Sequence, residues 1–407
     1  MKSQPPVLVV GGGPVGAVTG LALAREGVPV RVFEADARVD EQPRAATTHS
    51  ATLEMLADLG LIEEVMRRGL VAPVFQFWDR PSGQLIAEFD HAALKNDTRF
   101  PFAVQCEQHK LANMALDRLR MFPHGRVDLS ARVETIEQRA DTVEITILND
   151  GRIERVTGSY VIGADGGRSM VRKALGIAFD GYTFPERFLV LTTTFDFATA
   201  LGCGIRSYFS DPEEWTNLFK ISGNDGRGLW RAVSPTRPGE TDEELLNEAA
   251  AQHRLQKFCP QPGSYEIVHR NLYHVHQRVA ATFAVGRAFL AGDAAHVNNP
   301  IGGLGLNCGI HDAVELAGMI GKVWREEAPL EALAGYDQKR RPINIKYVQE
   351  QSIANKKRLE DRDPQLREAN FDALRRTAAD PAAHRAFLMR SSLLESVRRT
   401  SESMPAR

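Results

Sequence analysis

The hydrophobic pattern near the N-terminus predicts a strand, a helix and a second strand. Val7 to Val10 is a continuous apolar run, as expected of a strand buried on both faces of a parallel sheet. A helix with one apolar face follows and ends at Gly27, and the second strand runs from Val30 to Phe33. These elements form one βαβ unit, which predicts a parallel α/β domain at the start of the chain.

The turn between the first strand and the helix carries a glycine pattern that suits a phosphate group. It fits G-x-G-x-x-G, in which the glycines permit a tight turn, backbone approach to a pyrophosphate and close helix packing. A glutamate lies 18 residues after the last glycine, near the spacing at which a carboxylate accepts the ribose hydroxyls of a dinucleotide. The predicted dinucleotide contacts are Gly11, Gly13, Pro14, Val15, Gly16 and Glu34.

A second segment, "YVIGADGGRSMVRKALGI", reads as a buried strand, an Asp-Gly turn and a helix. A strand that ends in Asp165-Gly166 beside a phosphate loop can support a flavin and the entry to a reductant site. Arg168 and Arg172 are predicted to lie on the helix that follows. An alternative, in which Asp165 only caps that helix, stays open on the residues alone.

A second glycine-rich loop lies in the C-terminal half, after a short apolar strand from Ala288 to Ala291. Asp293, at the end of this strand, can accept hydrogen bonds from the ribityl hydroxyls of a flavin. A helix is predicted to begin near the end of the loop, and its free N–H groups can face the pyrimidine edge of the ring. Such a helix terminus stabilises negative charge by roughly 0.3–2 kcal/mol. The residues that offer these groups are Gly305, Leu306 and Asn307.

Together these segments resemble the class A flavoprotein aromatic hydroxylases, the family of para-hydroxybenzoate hydroxylase, over about residues 5 to 345. The resemblance is carried by the segments GGGPVG, RAATTHSATLEML, CEQHKL, GADGGRSMVR and GDAAHVNNPIGGLGLNCGIHDAVELA. It implies an α/β fold with a Rossmann-like FAD-binding domain, an inserted antiparallel-sheet substrate domain and C-terminal helices. The implied FAD-binding domain covers residues 1–72, 100–180 and 281–345, the substrate domain 73–99 and 181–280, and the helical tail 346–407.

The resemblance also implies roles for individual residues. Glu34 would bind the ribose, and Arg44 and Gln105 would contact the pyrophosphate and ribityl region of FAD. Val133 belongs to the same set of cofactor contacts, and Asp165-Gly166 would support both FAD and the pyridine nucleotide. The remaining implied contact is Pro300, whose carbonyl would face the substrate hydroxyl.

The implied activity is that of an FAD-dependent monooxygenase that hydroxylates a phenol or a related aromatic compound. NADH or NADPH would reduce the flavin, O2 would form a flavin hydroperoxide, and one oxygen atom would pass to the ring. Other flavoenzymes of the same fold remain alternatives, such as an epoxidase, a halogenase or a flavin-dependent reductase, and so does a non-catalytic flavin-binding protein. The chain has no W-x-W-x-I-P segment, which argues against the halogenases.

The segment "IRSYF" provides the candidate substrate residues. Alternation along a strand places Arg206 and Tyr208 on one side and Ser207 on the other. A tyrosine there could activate a phenol by accepting its proton, and an arginine could hold a substrate carboxylate. The alternative is that both are ordinary sheet residues. His49 and His296 flank the flavin loops and are interpreted as hydrogen-bonding residues, whereas His311 is placed on a helix surface.

Composition and charge narrow the class of protein further. The 407 residues have a formal net charge of -2, so no basic field would attract nucleic acid or an anionic membrane. No apolar run approaches the roughly 20 residues of a membrane helix, no signal peptide is evident, and no metal-ligand spacing occurs. The four cysteines share no C-x-x-C spacing and are interpreted as reduced thiols. A cytoplasmic enzyme of aromatic compound catabolism is expected.

The tail is predicted to form two or three amphipathic helices that are interrupted at Pro364 and Pro381. Its apolar residues would pack on the flavin domain or on a second subunit of a homodimer. These residues are Leu388, Met389, Leu393 and Leu394.

Overall fold

The computed structural model describes residues 4–149, 151–224 and 226–402. Residues 1–3 of the predicted FAD-binding domain and 403–407 of the predicted tail lie outside these ranges. No helix among the described residues is both long enough and apolar enough to cross a membrane.

A six-stranded sheet forms the centre of the nucleotide-binding part of the chain. Its strands are β1 (Val7–Val10), β2 (Val30–Phe33), β8 (Gly125–Asp128), β12 (Tyr160–Gly163), β18 (Ala284–Val285) and β19 (Ala288–Leu290). Their order is β18-β19-β12-β1-β2-β8, and all neighbours except β18 and β19 are parallel. Strands β1 and β2 have the predicted bounds: β1 is a continuous apolar run, and β2 is apolar except for Arg31.

Six helices accompany this sheet. They are α1 (Pro14–Arg25), α2 (Ser50–Asp58), α3 (Ile62–Arg68), α4 (Gln108–Arg120), α5 (Met170–Ala174) and α9 (Leu304–Trp324). Helices α1 and α9 approach each other closely, since a Cβ atom on Gly309 would lie 2.7 Å from the side chain of Val15. Gly309 therefore lets the two glycine-rich loops, one before α1 and one before α9, lie side by side.

Two small antiparallel sheets complete this part of the fold. Their strands are β3 (Thr47–Thr48), β4 (Leu70–Ala72) and β7 (Ala103–Gln105), and β9 (Ala131–Gln138), β10 (Val143–Asn149) and β11 (Arg152–Gly158).

The residues between these segments build an eight-stranded sheet. Its strands are β5 (Val74–Asp79), β6 (Gln84–Asp90), β13 (Phe179–Thr193), β14 (Arg206–Ser210), β15 (Thr216–Ile221), β16 (Leu229–Pro235), β17 (Ile267–Ala280) and β20 (His296–Val297). Their order is β20-β17-β13-β16-β15-β14-β5-β6. Every pair is antiparallel except β14 and β5, which run parallel.

The two faces of this sheet have different partners. Leu189 and Trp230 belong to one core, which is covered by α6 (Phe197–Leu201), α7 (Asp242–Leu246) and α8 (Glu248–Phe258). Phe188, Phe75 and Tyr208 belong to the core on the opposite face, which also contains residues of the C-terminal helices. Because side chains alternate along a strand, they face either the helices α6 to α8 or the opposite side, where the C-terminal helices pack.

The last part of the chain forms α10 (Gly335–Ile343), which belongs to the predicted FAD-binding range, and a π-helical segment from Asn344 to Gln349. The predicted tail then forms α11 (Glu350–Glu360), α12 (Pro364–Ala379), α13 (Pro381–Ser391) and α14 (Leu394–Glu402). Pro364 and Pro381 occupy the first turns of α12 and α13, where a missing N–H costs nothing. Leu388 and Leu393 lie in one core with Phe89 of the β5–β6 hairpin and Ala51 of α2. The apolar face of the tail thus packs within this chain and onto both domains, not on the flavin domain alone.

The prediction for His311 was wrong. The residue is buried in α9, and its Nε2 lies 2.9 Å from the hydroxyl oxygen of Thr52 in α2. The first half of helix α9 is enclosed, so its polar residues Asn307, His311 and Asp312 lie inside the protein. A sequence pattern alone does not distinguish a polar residue with a buried partner from one that faces water.

The buried histidines make stability dependent on pH. Burial, with a smaller effect of Arg206, lowers the pKa of His91 to about 4, and burial, with a smaller effect of Arg340, lowers that of His311 to about 3. An unfolded histidine titrates near pH 6.5, so the unfolded state binds more protons below that pH. Their contribution to stability is therefore complete above about pH 6.5 and is lost as the pH falls towards the folded pKa values.

We expect the free energy of unfolding to fall by about 1.4 kcal/mol per pH unit for each of these histidines between about pH 6 and 4. Urea unfolding at a series of pH values measures this slope. The double variant His91→Gln/His311→Gln should have a shallower slope than the unchanged protein. Equal slopes would contradict the assignment of neutral, buried imidazoles.

Candidate active site

The first glycine loop has the local geometry that its sequence predicts. Gly11 has a φ of +104°, and a Cβ atom there would lie 2.4 Å from the carbonyl oxygen of Ala164. A Cβ atom on Gly16 would lie 1.9 Å from the carbonyl oxygen of Gly11, so α1 reaches the strand only because this residue is glycine. At Gly13 a Cβ atom would meet nothing within 4 Å. The loop is thus tightly packed on its inner side and open at Gly13.

Glu34 closes the other side of this loop. Its Oε2 accepts a hydrogen bond of 2.7 Å from the backbone N–H of Gly12, and its Oε1 accepts one of 3.0 Å from Asp36. Each carboxylate oxygen keeps a further lone pair for a ribose hydroxyl. The carbonyl of Glu34 accepts from the N–H of Ala131, which begins β9, and Val133 lies two residues along this strand. The strand therefore places Val133 in the same region as the predicted ribose contact.

The carboxylate of Asp165 is bonded to the start of α5. It accepts hydrogen bonds from the hydroxyl of Ser169 at 2.6 Å and from the N–H groups of Met170 at 2.6 Å and Val171 at 3.1 Å. Asp165 thus supports this helix terminus, as the simpler of the two interpretations expected. These bonds also fix the turn at Gly166, which has a φ of +77° and open space where a Cβ atom would lie.

Arg172 connects the two predicted flavin loops, a role that sequence reasoning missed. The side chain is buried, and its Nη1 donates to the carbonyl of Ala294 at 2.9 Å while Nη2 donates to that of Gly167 at 2.8 Å. Its guanidinium lies 3.8 Å from the ring centroid of Phe179. A basic residue in the first turns of a short helix gave no signal of this contact, because its acceptors lie in distant loops.

The second glycine loop presents an unpaired carboxylate and a helix terminus. None of the described residues donates a hydrogen bond to the Asp293 side chain. Asp293 is exposed to solvent, although it lies among many protein atoms. Desolvation in this position raises the pKa of Asp293, and His296 and Arg44 oppose the shift. Helix α9 begins at Leu304, so Gly305 and Leu306 lie in its first turn, where N–H groups lack partners within the helix.

Asn307 is fully buried at the same terminus. Its Oδ1 accepts from the N–H of His49 at 2.8 Å, and its Nδ2 donates to the carbonyls of Thr47 and Gly303 at 2.8 and 2.6 Å. The side chain therefore holds the start of α9 against the chain segment that precedes α2.

A buried ionic cluster supports the loop from behind, and sequence reasoning missed it as well. Asp312 accepts from the N–H of Gly292 at 3.1 Å, from Nε2 of His296 at 2.7 Å and from Nε of Arg340 at 2.7 Å. Burial alone would raise the pKa of Asp312, but Arg340 and His296 hold it below its usual range. Cys308 also lies in this cluster, and Nη2 of Arg340 approaches its sulfur at 3.2 Å. Because a guanidinium already bonds to both groups, we assign the cluster a structural role.

The side-chain amide of Gln105 has a hydrogen-bond donor without a partner. The residue is fully buried, and its Oε1 accepts from the hydroxyl of Thr47 at 3.0 Å, whereas its Nε2 has no partner. A buried amide donor without a partner is costly, so a ligand acceptor is expected there. Arg44 has a largely exposed side chain paired with Asp40 at 3.1 Å, and its carbonyl accepts from Nη1 of Arg231 at 2.7 Å.

Arg206 and Tyr208 lie together in a cavity between the large sheet and the second glycine loop. Both are buried, and Nη2 of Arg206 donates to the Tyr208 hydroxyl oxygen at 3.1 Å and to the carbonyl of Gly302 at 3.4 Å. The guanidinium lies 4.8 Å from the ring centroid of Phe75, and its Nη1 is buried without a partner. The ring of Phe77 stacks on that of Tyr208 at 5.3 Å. The cavity thus combines aromatic walls with a cation that has an unused donor.

Two further residues bond to the second glycine loop at Gly302 and Gly303, beside this cavity. Nε2 of His49 lies 2.8 Å from the carbonyl oxygen of Gly302, and burial, followed by the charge of Arg206, lowers the pKa of His49 well below its ordinary value. His49 is therefore neutral. Pro300 is exposed at the start of the loop, and its carbonyl accepts from the N–H of Gly303 at 2.9 Å, which leaves one lone pair free.

Comparison with known proteins agrees with this arrangement. The family model described as "FAD binding domain" matches residues 4–351. The para-nitrophenol 4-monooxygenase of Pseudomonas sp. is 33% identical over 390 residues, which are 96% of this chain and 96% of that protein. The 6-hydroxy-3-succinoylpyridine 3-monooxygenase of Pseudomonas putida is 31% identical over 89% of this chain and 91% of that protein.

Among solved structures, the crystal structure of p-nitrophenol 4-monooxygenase PnpA from Pseudomonas putida is similar with a TM-score of 0.90. The identity is 31%, and the match covers 98% of this chain and 99% of that one. The glycine loops, the sheet above them and these relatives lead to one assignment: the chain belongs to the FAD-dependent monooxygenases that hydroxylate aromatic compounds.

Proposed function

We propose that the aromatic substrate of this enzyme binds in the cavity at β14, with its phenolic oxygen on Tyr208 and Arg206. The observation that carries the proposal is the buried Nη1 of Arg206, which has no partner in the protein. A buried guanidinium without an acceptor is costly, and an anionic oxygen would satisfy it with a charge-assisted hydrogen bond. A phenolate supplies this oxygen and a ring that fits the aromatic walls.

The hydrogen bond between the two residues indicates how Tyr208 acts. Because the phenol oxygen of Tyr208 accepts from Arg206, its own proton is directed to another acceptor. In this arrangement the Tyr208 hydroxyl group is available to donate a hydrogen bond to the substrate oxygen. The sequence-based hypothesis that Tyr208 accepts the substrate proton stays a prediction beside this one. A hydrogen-bond donor and a cation beside the substrate oxygen stabilise the phenolate form of the substrate. The ring of a phenolate is more electron-rich than that of a phenol.

The chain residues around the glycine loops fit FAD. Glu34 would hold the ribose, the open backbone at Gly13 the pyrophosphate, Asp293 the ribityl hydroxyls, and Gln105 another cofactor acceptor. When bound, FAD takes electrons from NADH or NADPH and activates O2 for transfer to the ring. Phe75 and the other aromatic side chains that line the cavity would exclude water from the reacting ring.

The relatives narrow the substrate class that we infer. One is named for para-nitrophenol and another for a hydroxypyridine that carries a succinoyl group. We infer that this enzyme also acts on a single ring that bears a hydroxyl and a second polar substituent. A homodimer and a cytoplasmic location stay predictions from the sequence.

Two glycine substitutions should separate folding from cofactor binding. In Gly13→Ala the new methyl group meets open space, so the apoprotein should keep its stability while FAD affinity falls, because the pyrophosphate loses its approach. In Gly16→Ala the methyl group would overlap the Gly11 carbonyl, so the apoprotein itself should be destabilised. Thermal unfolding of the apoproteins and FAD titration measure the two effects. Equal FAD affinity of Gly13→Ala and the unchanged protein would contradict the pyrophosphate site.

Asp293→Ala should weaken FAD binding by about one to two decades, because ribityl hydroxyls would lose an acceptor worth about 1–3 kcal/mol. Asp293→Asn keeps an acceptor oxygen and should lose less. Neither change should alter apoprotein stability, since no protein group bonds to this carboxylate among the described residues. Fluorescence titration with FAD gives the dissociation constants, and unchanged affinity in Asp293→Ala would refute the ribityl role.

Tyr208→Phe should bind and reduce FAD normally but hydroxylate poorly. Loss of a hydrogen bond to an anionic oxygen, about 1.5–3 kcal/mol, should slow oxygen transfer about ten- to a hundredfold. NAD(P)H would still be consumed, and more of it would end as hydrogen peroxide. Product and peroxide yields per NAD(P)H measure this coupling, with the half-exposed Tyr182→Phe as the control. A fully coupled Tyr208→Phe enzyme would leave Tyr208 as an ordinary sheet residue.

A further inference from the structure

The C-terminal helices form one wall of the cavity that contains Arg206 and Tyr208. The residues of this wall are Gln351 and Asn355 of α11 and Phe387 and Ser391 of α13. Asn355 already uses both polar atoms of its side chain, since Nδ2 donates to the carbonyl of Ile301 at 3.3 Å and Oδ1 accepts from Arg358 at 3.2 Å. The hydroxyl of Ser391 donates within its own helix at 3.4 Å. These two side chains are thus bonded within the protein, which sets Gln351 apart.

Gln351 carries an unsatisfied polar atom of this wall. Its Oε1 is buried, and none of the described residues donates a hydrogen bond to it. A buried acceptor without a donor is destabilising, and most such atoms in proteins have a partner. A donor from a bound ligand is therefore expected at this oxygen.

The backbone around Gln351 is held in place on both sides. Ser352 accepts from Nε2 of Gln277 at 3.0 Å, and Nε2 of Gln349 donates to the carbonyl of Val297 at 3.1 Å. The segment that precedes α11 is π-helical, a geometry that is rare and occurs frequently at functional sites. The unsatisfied oxygen therefore lies on a fixed support, as a side chain that selects among ligands requires.

Arg206 provides the complementary group on the sheet side of the same cavity. Its Nη1 is buried without a partner, as is Oε1 of Gln351, so the two groups do not bond to each other. Among the described residues that line the cavity, Arg206 alone is charged. A second charge on a bound ring would be buried there without a counter-ion, which is costly. The cavity therefore matches a ring with one anionic oxygen and one uncharged group that donates a hydrogen bond.

We propose that Gln351 is a specificity-determining residue, whose Oε1 accepts a hydrogen bond from a hydroxyl or amino group on a ring whose phenolic oxygen lies at Arg206. The substrate class is then a dihydroxybenzene or an aminophenol. A phenol whose second group is charged, or only accepts hydrogen bonds, gains nothing from this oxygen. The inference rests on the proposed function, because it needs the phenolic oxygen to bind at Arg206 and Tyr208.

The test measures the binding of five ligands to the FAD-loaded enzyme in buffer without O2: phenol, the three dihydroxybenzene isomers and 4-nitrophenol. The three isomers place the second hydroxyl at each possible ring position, whereas the nitro group only accepts hydrogen bonds. Dissociation constants come from the change in flavin absorbance on binding, and melting temperatures report folding. At least one isomer should bind about two- to tenfold more tightly than phenol.

Gln351→Met removes the amide from a side chain of similar length. It should abolish this preference and leave the affinity for phenol unchanged. Gln338→Met, the same change at an exposed position of α10, is the matched control and should alter none of the dissociation constants. Gln351→Glu keeps an acceptor oxygen and should therefore keep the preference. This variant gives the decision if Gln351→Met melts well below Gln338→Met.

Three results would overturn the inference: no preference in the unchanged enzyme, the same preference in Gln351→Met, or its loss in a folded Gln351→Glu enzyme. A loss of affinity in Gln351→Met that is confined to 4-nitrophenol would do the same, because the amide would then be a donor. Arg206→Met tests the proposed function separately and should weaken the binding of phenol and of the dihydroxybenzenes alike. If it weakens none of them, the proposed function fails and this inference with it. If only the Gln351 variants depart from expectation, the proposed function stands and this inference alone falls.

Discussion

The carboxylate of Asp312 is the interaction on which the cofactor side of the structure depends. It has no exposure to solvent and bonds to three groups, Gly292 and His296 of the second glycine loop and Arg340 of α10. A buried charge is tolerated only where such partners surround it, and removal of one partner from a buried pair costs about 3–5 kcal/mol. The strand end before Asp293, the loop after it and helix α10 are therefore held in one arrangement. The position of Asp293 follows from this constraint.

The same constraint reaches the cavity at Arg206 and Tyr208 through the chain segment that follows Arg340. Beyond Arg340 the chain passes through the π-helical segment into α11. Gln277 of β17 accepts from the N–H of Asn299 at 3.1 Å through its Oε1, and its Nε2 donates to Gln349 at 2.5 Å and to Ser352 at 3.0 Å. The sheet, the second glycine loop and the start of α11 thus meet at one buried amide. The wall at Asn355 and the loop at Gly302 are parts of one packed unit.

Local constraints explain what the sequence could predict. Gly16 is required by an oxygen 1.9 Å from where its Cβ would lie, and the bounds of β1 follow from an apolar run, so both leave a signal within a few residues. Alternation in β14 likewise places Arg206 and Tyr208 on one face. It does not reveal that the two side chains bond to each other. Interactions that depend on distant partners, such as those of Asp312, Arg172 and His311, leave no comparable pattern.

Electrostatics in the cavity follows from the same burial. His49 and His91 both lie close enough to Arg206 for its charge to lower their pKa values further, after the larger effect of burial. They are therefore neutral near pH 7 and add no positive charge beside Arg206. A guanidinium does not lose its proton in this pH range. If a substrate oxygen binds at Arg206 as proposed, the positive charge that it meets there near pH 7 therefore comes from the guanidinium and not from either histidine.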